Sequence, residues 1–101
     1  MKSPPTWLTE PCPVWCARDH AEDDQPEDRA HRSAGVSVAV IAARPRIGRP
    51  EAQPRELVLT RFQHPGDPRS WVALELDGRI ATLLLSAESY RALRSVDPLA
   101  A

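Results

Sequence analysis

Both cysteines of the chain and two of its three histidines fall between Cys12 and His31, in the stretch CPVWCARDHAEDDQPEDRAH. Thiolate and imidazole together suit a four-coordinate metal shell, and two thiolates neutralise a divalent ion. Cys12, Cys16, His20 and His31 follow a C-x3-C-x3-H-x10-H spacing, without the C-x2-C knuckle common in zinc ribbons. One Zn2+ is the expected ion. Two readings without metal stand beside it. In one, Cys12 and Cys16 form a reducible disulfide and the histidines are surface residues. In the other a catalytic thiol works with a histidine, but no third orienting group or oxyanion device is recognisable.

Helix geometry constrains how these side chains meet. Cys12, Cys16 and His20 stand at i, i+4 and i+8, and a straight helix would separate the first from the last by about 12 Å. Residues sharing one ion through Cys and His side chains keep their backbone attachment points within about 9 Å. The chain must therefore bend between Cys12 and His20, where Pro11 and Pro13 stiffen a turn. The fourth ligand is His31, arriving across the acidic EDDQPED loop, or else His64 in FQHPGDP; the shorter loop favours His31. The carboxylates of that loop are expected to keep it solvated. Four protein ligands leave no position for water or substrate, which favours a structural ion. A zinc hydrolase would instead need three ligands and a base such as Glu22, and no H-E-x-x-H arrangement supports it. Trp15, between the cysteines, is expected to pack the knuckle onto a sheet. Asp19 either orients the neighbouring His20 or faces solvent.

The elements that must position this cluster follow from hydrophobic periodicity. Residues 1–33 are polar and proline-rich, with Trp7, Leu8, Val14 and Trp15 as their large apolar anchors. In GVSVAVIAA, 35–43, Val36, Val38 and Val40 alternate with small residues, a strand pattern. Pro45, Pro50 and Pro54 then make 44–55 a loop. Strands are expected at 56–62 and 70–76, separated by the turn-rich HPGDPR, and a fourth in RIATLLL after an Asp77-Gly78 hairpin turn. Ser86 caps a helix in SAESYRALRSV that Pro98 stops. Short connections favour an antiparallel meander. One sheet face, drawn from Val36, Val38, Val40, Val72, Leu74 and Leu76, is expected to bury against Tyr90, Leu93 and Val96. Phe62 and Trp71 are expected to pack in the core; the other reading has them facing opposite the helix, where exposure would mark a partner surface.

The chain has 101 residues, a net charge of -1, 42% hydrophobic residues, Pro 11 and Gly 4. This is one small domain with proline-stiffened loops, of a size that benefits from a staple. The charge gives no general attraction to a polyanion, so a nucleic-acid contact would be local. The local candidate is RPRIGRP, with Arg44, Arg46 and Arg49, which resembles a minor-groove AT-hook interrupted by Ile47. Lys2 is the lone lysine, an arginine bias expected of a GC-rich genome. No apolar run approaches the ~20 residues of a membrane span, and no signal peptide is recognisable. A cytoplasmic location follows as the expectation, where paired thiols serve metals more often than disulfides.

The run CPVWCARDH, followed by His31-Arg32-Ser33, strands, an Asp77-Gly78 turn and a closing LSAE helix, resembles an uncharacterised family of small actinobacterial proteins, a domain of unknown function. The likeness covers most of the chain, and its specific part is Cys12, Pro13, Trp15, Cys16, Asp19 and His20. It implies soluble intracellular proteins and brings no activity. The stretch 44–55 is not matched by the resemblance. The sequence thus reads as one α+β domain, 1–101, with a zinc-knuckle-like lobe at 1–33 and a small antiparallel sheet plus helix at 34–97. The expected function is a non-enzymatic, zinc-binding module that engages a protein. The alternative is a nucleic-acid-binding regulator acting through RPRIGRP.

Overall fold

A computed structural model of the chain describes residues 4–43, 48–77 and 83–100. The fold is α+β: an antiparallel sheet of five strands and one C-terminal helix. Strand β1 is His31–Arg32, β2 Val36–Ala42, β3 Gln53–Gln63, β4 Trp71–Leu76 and β5 Leu83–Ser86. Helix α1, Ala87–Arg94, follows β5 directly. Strands β2 to β5 pair in sequence order as a meander, and β1 pairs β3 beyond the end of β2.

Strand β3 is longer than its β-branched and aromatic stretch indicates, because it begins at Gln53 and takes in Pro54. The expected loop therefore ends earlier. Pro54 faces Ile41 of β2, while β4 reaches only from Leu57 to Phe62. A proline lacks the N–H a central strand needs, and among the described residues no strand pairs with Pro54 on the side away from β2. After β3, the His64-Pro65-Gly66-Asp67 turn is closed by Asp67 N–H donating to His64 O at 3.1 Å, with Gly66 at φ 83. Proline followed by a left-handed glycine is the pairing a type II turn requires. Beyond β4, Asp77 adopts φ 56 and its carboxylate accepts from Glu56 N–H at 3.0 Å while pairing with Arg55. Gly78, the other half of the expected hairpin turn, and residues 79–82 of the expected fourth strand lie outside the described residues.

A β-bulge joins β1 to β2. Arg32 faces Phe62 and Val36 faces Leu59, so residues 33–35 stand against only 60 and 61. One extra residue shifts the alternation by one position. His31, opposite Gln63, thereby comes to the same sheet face as Val36, Val38 and Val40; an unbroken ladder from β2 would have put Arg32 there. Ser33 holds the bulge, donating N–H to Arg61 O and accepting Arg61 N–H on Oγ, both at 2.9 Å. A Cβ on Gly35 would stand 3.1 Å from Val58 Cγ1, so a side chain there would push Val58 aside by a few tenths of an ångström.

Directly opposed residues share a face, so the register gathers Val36, Val38, Leu57, Leu59, Val72, Leu74, Leu76 and Leu85 on one side. This is the expected apolar face. Phe62 and Trp71 pair on the other, half-buried, with Arg32 over the first ring and Arg69 over the second. Helix α1 begins as the sequence indicates, with Ser86 Oγ accepting Ser89 N–H at 3.1 Å. Its cover is smaller than expected: it ends at Arg94, and Leu93 and Val96 remain 56% and 67% exposed. An eight-residue helix has only two turns, so Ala87 and Tyr90 reach the sheet and the next apolar residues pass beyond it. The buried hydrophobics among the described residues are Ala30, Val72, Ala73 and Ala87, none of them large.

Arg61 ties this thin core to the N-terminal lobe. Its guanidinium lies 4.4 Å from the centre of the Trp15 ring, and its Nε donates to Ser70 Oγ at 3.1 Å. Ser70 O in turn accepts Ala87 N–H, the first residue of α1, at 2.9 Å. A cation–π contact and one hydrogen bond are each worth about 1 kcal/mol. Arg61→Ala should therefore lower stability by about 2 kcal/mol in chemical denaturation, and Arg61→Lys should recover less than half, because an ammonium cannot stack on Trp15 and reach Ser70 together.

Candidate metal centre

The sheet supplies one fixed member of the site. His31 is 6% exposed and held in register by pairing with Gln63. The knuckle is then sewn to the outer side of β1, where Ala17 N–H donates to Arg32 O at 2.8 Å. Between the cysteines the chain makes a tight turn, closed by Cys16 N–H to Pro13 O at 3.0 Å. Residues 12–20 contain no helix, so the bend required between Cys12 and His20 is present.

The result is convergence. One ligand atom from each of Cys12, Cys16, His20 and His31 lies within 4.8 Å of all the others. A tetrahedral ion with bonds of about 2.0–2.3 Å has ligand–ligand edges of about 3.3–3.8 Å. Cys16 Sγ and His20 Nε2, at 3.6 Å, already stand at that separation. The remaining contraction is about 1.5 Å or less, within the reach of side-chain rotation. The Nδ1 atoms of His20 and His31 are buried without a hydrogen-bond partner. Buried polar atoms left unpaired cost about 1–3 kcal/mol each, and a ring gives one ion a single nitrogen, so with His20 Nε2 turned to Cys16 it is His31 Nδ1 that leaves a ring of the cluster with an unpaired nitrogen to offer. The four side chains can hold a metal ion.

Two indoles wall the imidazoles. Trp7 meets His20 edge-on at 5.2 Å, His20 meets His31 at 5.1 Å, and Trp15 meets His31 at 6.4 Å. Trp15 sits under Arg61 and so packs the knuckle against β3. Trp7 is the part that sequence reasoning missed. Its Nε1 donates to Ala21 O at 2.9 Å, and Arg29 lies over its ring at 5.3 Å. Thr6 secures the same crossing, its N–H and hydroxyl donating to the Glu22 carboxylate at 2.8–3.0 Å. The acidic run is exposed, as expected, apart from the half-buried Asp24, and it is also partly structural. Glu22 grips Thr6, Asp24 accepts Ala21 N–H at 3.0 Å, and Asp28 pairs with Arg18 at 4.0 Å. Trp7 beside a proline pair was the available signal, but nothing local indicates that its ring returns to residue 20.

The other candidates lie elsewhere. His64 is exposed, its ring edge-on to Phe62 at 6.0 Å, and it is not among the four converging residues. Asp19 is exposed, and among the described residues no hydrogen bond joins it to His20. Arg49 is exposed; Arg44 and Arg46 lie outside the described residues. Both cysteines are free thiols.

A small α+β domain with a Cys2His2 cluster at one end of its sheet is the class defined by this geometry. The chain belongs to the family described as a domain of unknown function, DUF6907, whose match spans residues 2–96. No curated protein and no solved structure matched the chain.

The electrostatics of the metal-free cluster set its proton stoichiometry. Desolvation, then the Cys16 thiol beside it, pushes the Cys12 thiol up, so it is protonated at neutral pH and must release that proton to bind. Burial, then the His20 ring, holds His31 below the ordinary histidine range, against an opposing pull from Glu10. His31 is therefore a neutral ligand at pH 7. Because its pKa is depressed on folding, the unfolded chain takes up a proton first as pH falls through about 6.5, and the fold loses stability on acidification.

Metal uptake at neutral pH should accordingly release protons and weaken as pH falls, as competition titrations against a chromophoric chelator would record. A flat profile would mean the thiols do not ligate. Cys16→Ser or His31→Ala should abolish metal retention by native mass spectrometry, whereas His64→Ala should leave it at the wild-type level.

Proposed function

We propose that this protein is a small zinc-binding module in which one Zn2+ is structural and whose sheet-and-helix surface engages another protein. The convergence of Cys12, Cys16, His20 and His31 within 4.8 Å carries the reading. Two thiolates and two imidazoles make the borderline-soft, charge-neutralising shell that zinc takes in closed structural sites. With four protein ligands the ion has no open position, so no metal-centred catalysis is invoked. On this reading the Cys12, Pro13, Trp15, Cys16, Asp19, His20 and His31 pattern is the family's metal signature, in proteins of actinobacterial type. Free thiols poised for metal also suit a cytoplasmic setting.

The thin core supports a structural role for the ion. A domain whose buried hydrophobics, among the described residues, are three alanines and a valine gains little from apolar transfer alone. Structural zinc contributes an apparent ~10–16 kcal/mol in small domains, comparable to the whole net stability of a typical fold. An interaction role is supported by the apolar sheet face that α1 leaves open. Among the described residues, no helix is long and apolar enough to cross a membrane.

Native mass spectrometry with and without chelator tests the zinc assignment, followed by circular dichroism of the same samples. One zinc per chain should be present, and its removal should melt the lobe, with loss of the Trp7 and Trp15 near-ultraviolet signal. A chain purified from zinc-replete cells without metal, or one whose tertiary signal survives chelation unchanged, would overturn the structural-zinc reading.

A further inference from the structure

The outer edge of β2 is unguarded. Val36–Ala42, VSVAVIA, contains no charged residue and no proline, and among the described residues no strand pairs with its outer side. Edge strands are ordinarily protected by charge, proline, a bulge or brevity, because their free N–H and C=O groups template further pairing. In this chain the bulge precedes the strand and leaves its seven residues regular. Large apolar side chains stand exposed on both its faces: Val36 at 61% and Val38 at 43% on one, Ile41 at 73% on the other.

Strand β2 is complementary to itself. In an antiparallel pairing centred on Ala39, Val36 faces Ala42, Ser37 faces Ile41 and Val38 faces Val40, and no pair contains a charge. Because opposed residues share a face, valines meet valines on the side where Leu59 and Val72 already lie. That side borders an open cavity of about 390 Å3 floored by Val36, Val38, Leu59 and Val72 and flanked by Tyr90. A second copy would bring its own Val38 and Val40 alongside, extending one apolar floor between two helices. A foreign strand could match the backbone groups, but the side-chain register is specified for this sequence.

We propose that a second copy of this chain docks on β2, the two strands pairing antiparallel about Ala39 to join two five-stranded sheets into one. The two-fold axis makes the interface closed, so pairing stops at the dimer. This surface is separate from the metal cluster, and the proposal stands or falls independently of the zinc reading.

Sedimentation equilibrium of the full, metal-loaded chain should give twice the 11.2 kDa monomer mass. Ala39→Lys and Ala39→Glu each set like charges opposite one another on the axis and should weaken self-association by about fivefold or more. An equimolar mixture of the two variants should restore the dimer, a result that damage to the fold cannot mimic. Metal content and circular dichroism of the same samples separate loss of the interface from loss of the lobe. If Ala39 variants fail to fold, Ile41→Lys, at an exposed side chain, takes their place and should also weaken the dimer. A monomeric wild type at the highest soluble concentration, or charge variants that dimerise as well as wild type, would overturn the proposal.

Discussion

Everything in the N-terminal third depends on His31 being held by the sheet while three other donors arrive on loops. Its backbone is fixed by the ladder to Gln63, and the next residue, Arg32, offers the carbonyl that receives Ala17. Chain segments with so little regular structure cannot meet the entropic cost of ordering from four small buried side chains. A ligand shell shared by these four side chains, with one anchored member, would supply what apolar burial does not. The indoles of Trp7 and Trp15 contribute by closing the imidazoles off from water, and Arg61 carries the constraint onward to Ser70 and the start of α1.

The rest of the sheet is built on a different economy. Its two faces are differentiated by register, yet the helix is too short to cover the apolar one. Regular strands of alternating valines are cheap to specify, and the stability they contribute grows when a neighbour covers them. The same physics that makes β2 easy to form leaves it incomplete in isolation. The molecule therefore has a closed end, where four side chains able to hold a metal ion converge, and an open end whose apolar surface is still available.

What could be read from the residues divides along the line between local and distant causes. The bend at Pro13, the strands at Val36 and Trp71 and the Ser86 cap each have a cause within a few residues, and each was legible. The gathering of Cys12, Cys16, His20 and His31 was legible too, because loop closure over so short a stretch favours His31 over His64. The return of Trp7 to Ala21, the grip of Glu22 on Thr6 and the stacking of Arg61 on Trp15 were not, since none leaves a periodic trace. Pro54 marked a loop by its own chemistry and became strand because it pairs with Ile41 of β2. The reach of α1 was overread: Leu93 and Val96 have helical spacing, but spacing does not say where the sheet ends.

The order in which these contacts form follows from where they lie along the chain. Cys12 to His31 is one short excursion, whereas Arg32 must find Phe62 across two strands and a loop. Loop-closure entropy favours the first meeting over the second, so the four converging side chains have the shorter path to their native arrangement. A lobe assembled early presents Arg32 already tethered to Ala17, and the bulge at 33–35 is then the point at which a preformed template hands its direction to the sheet.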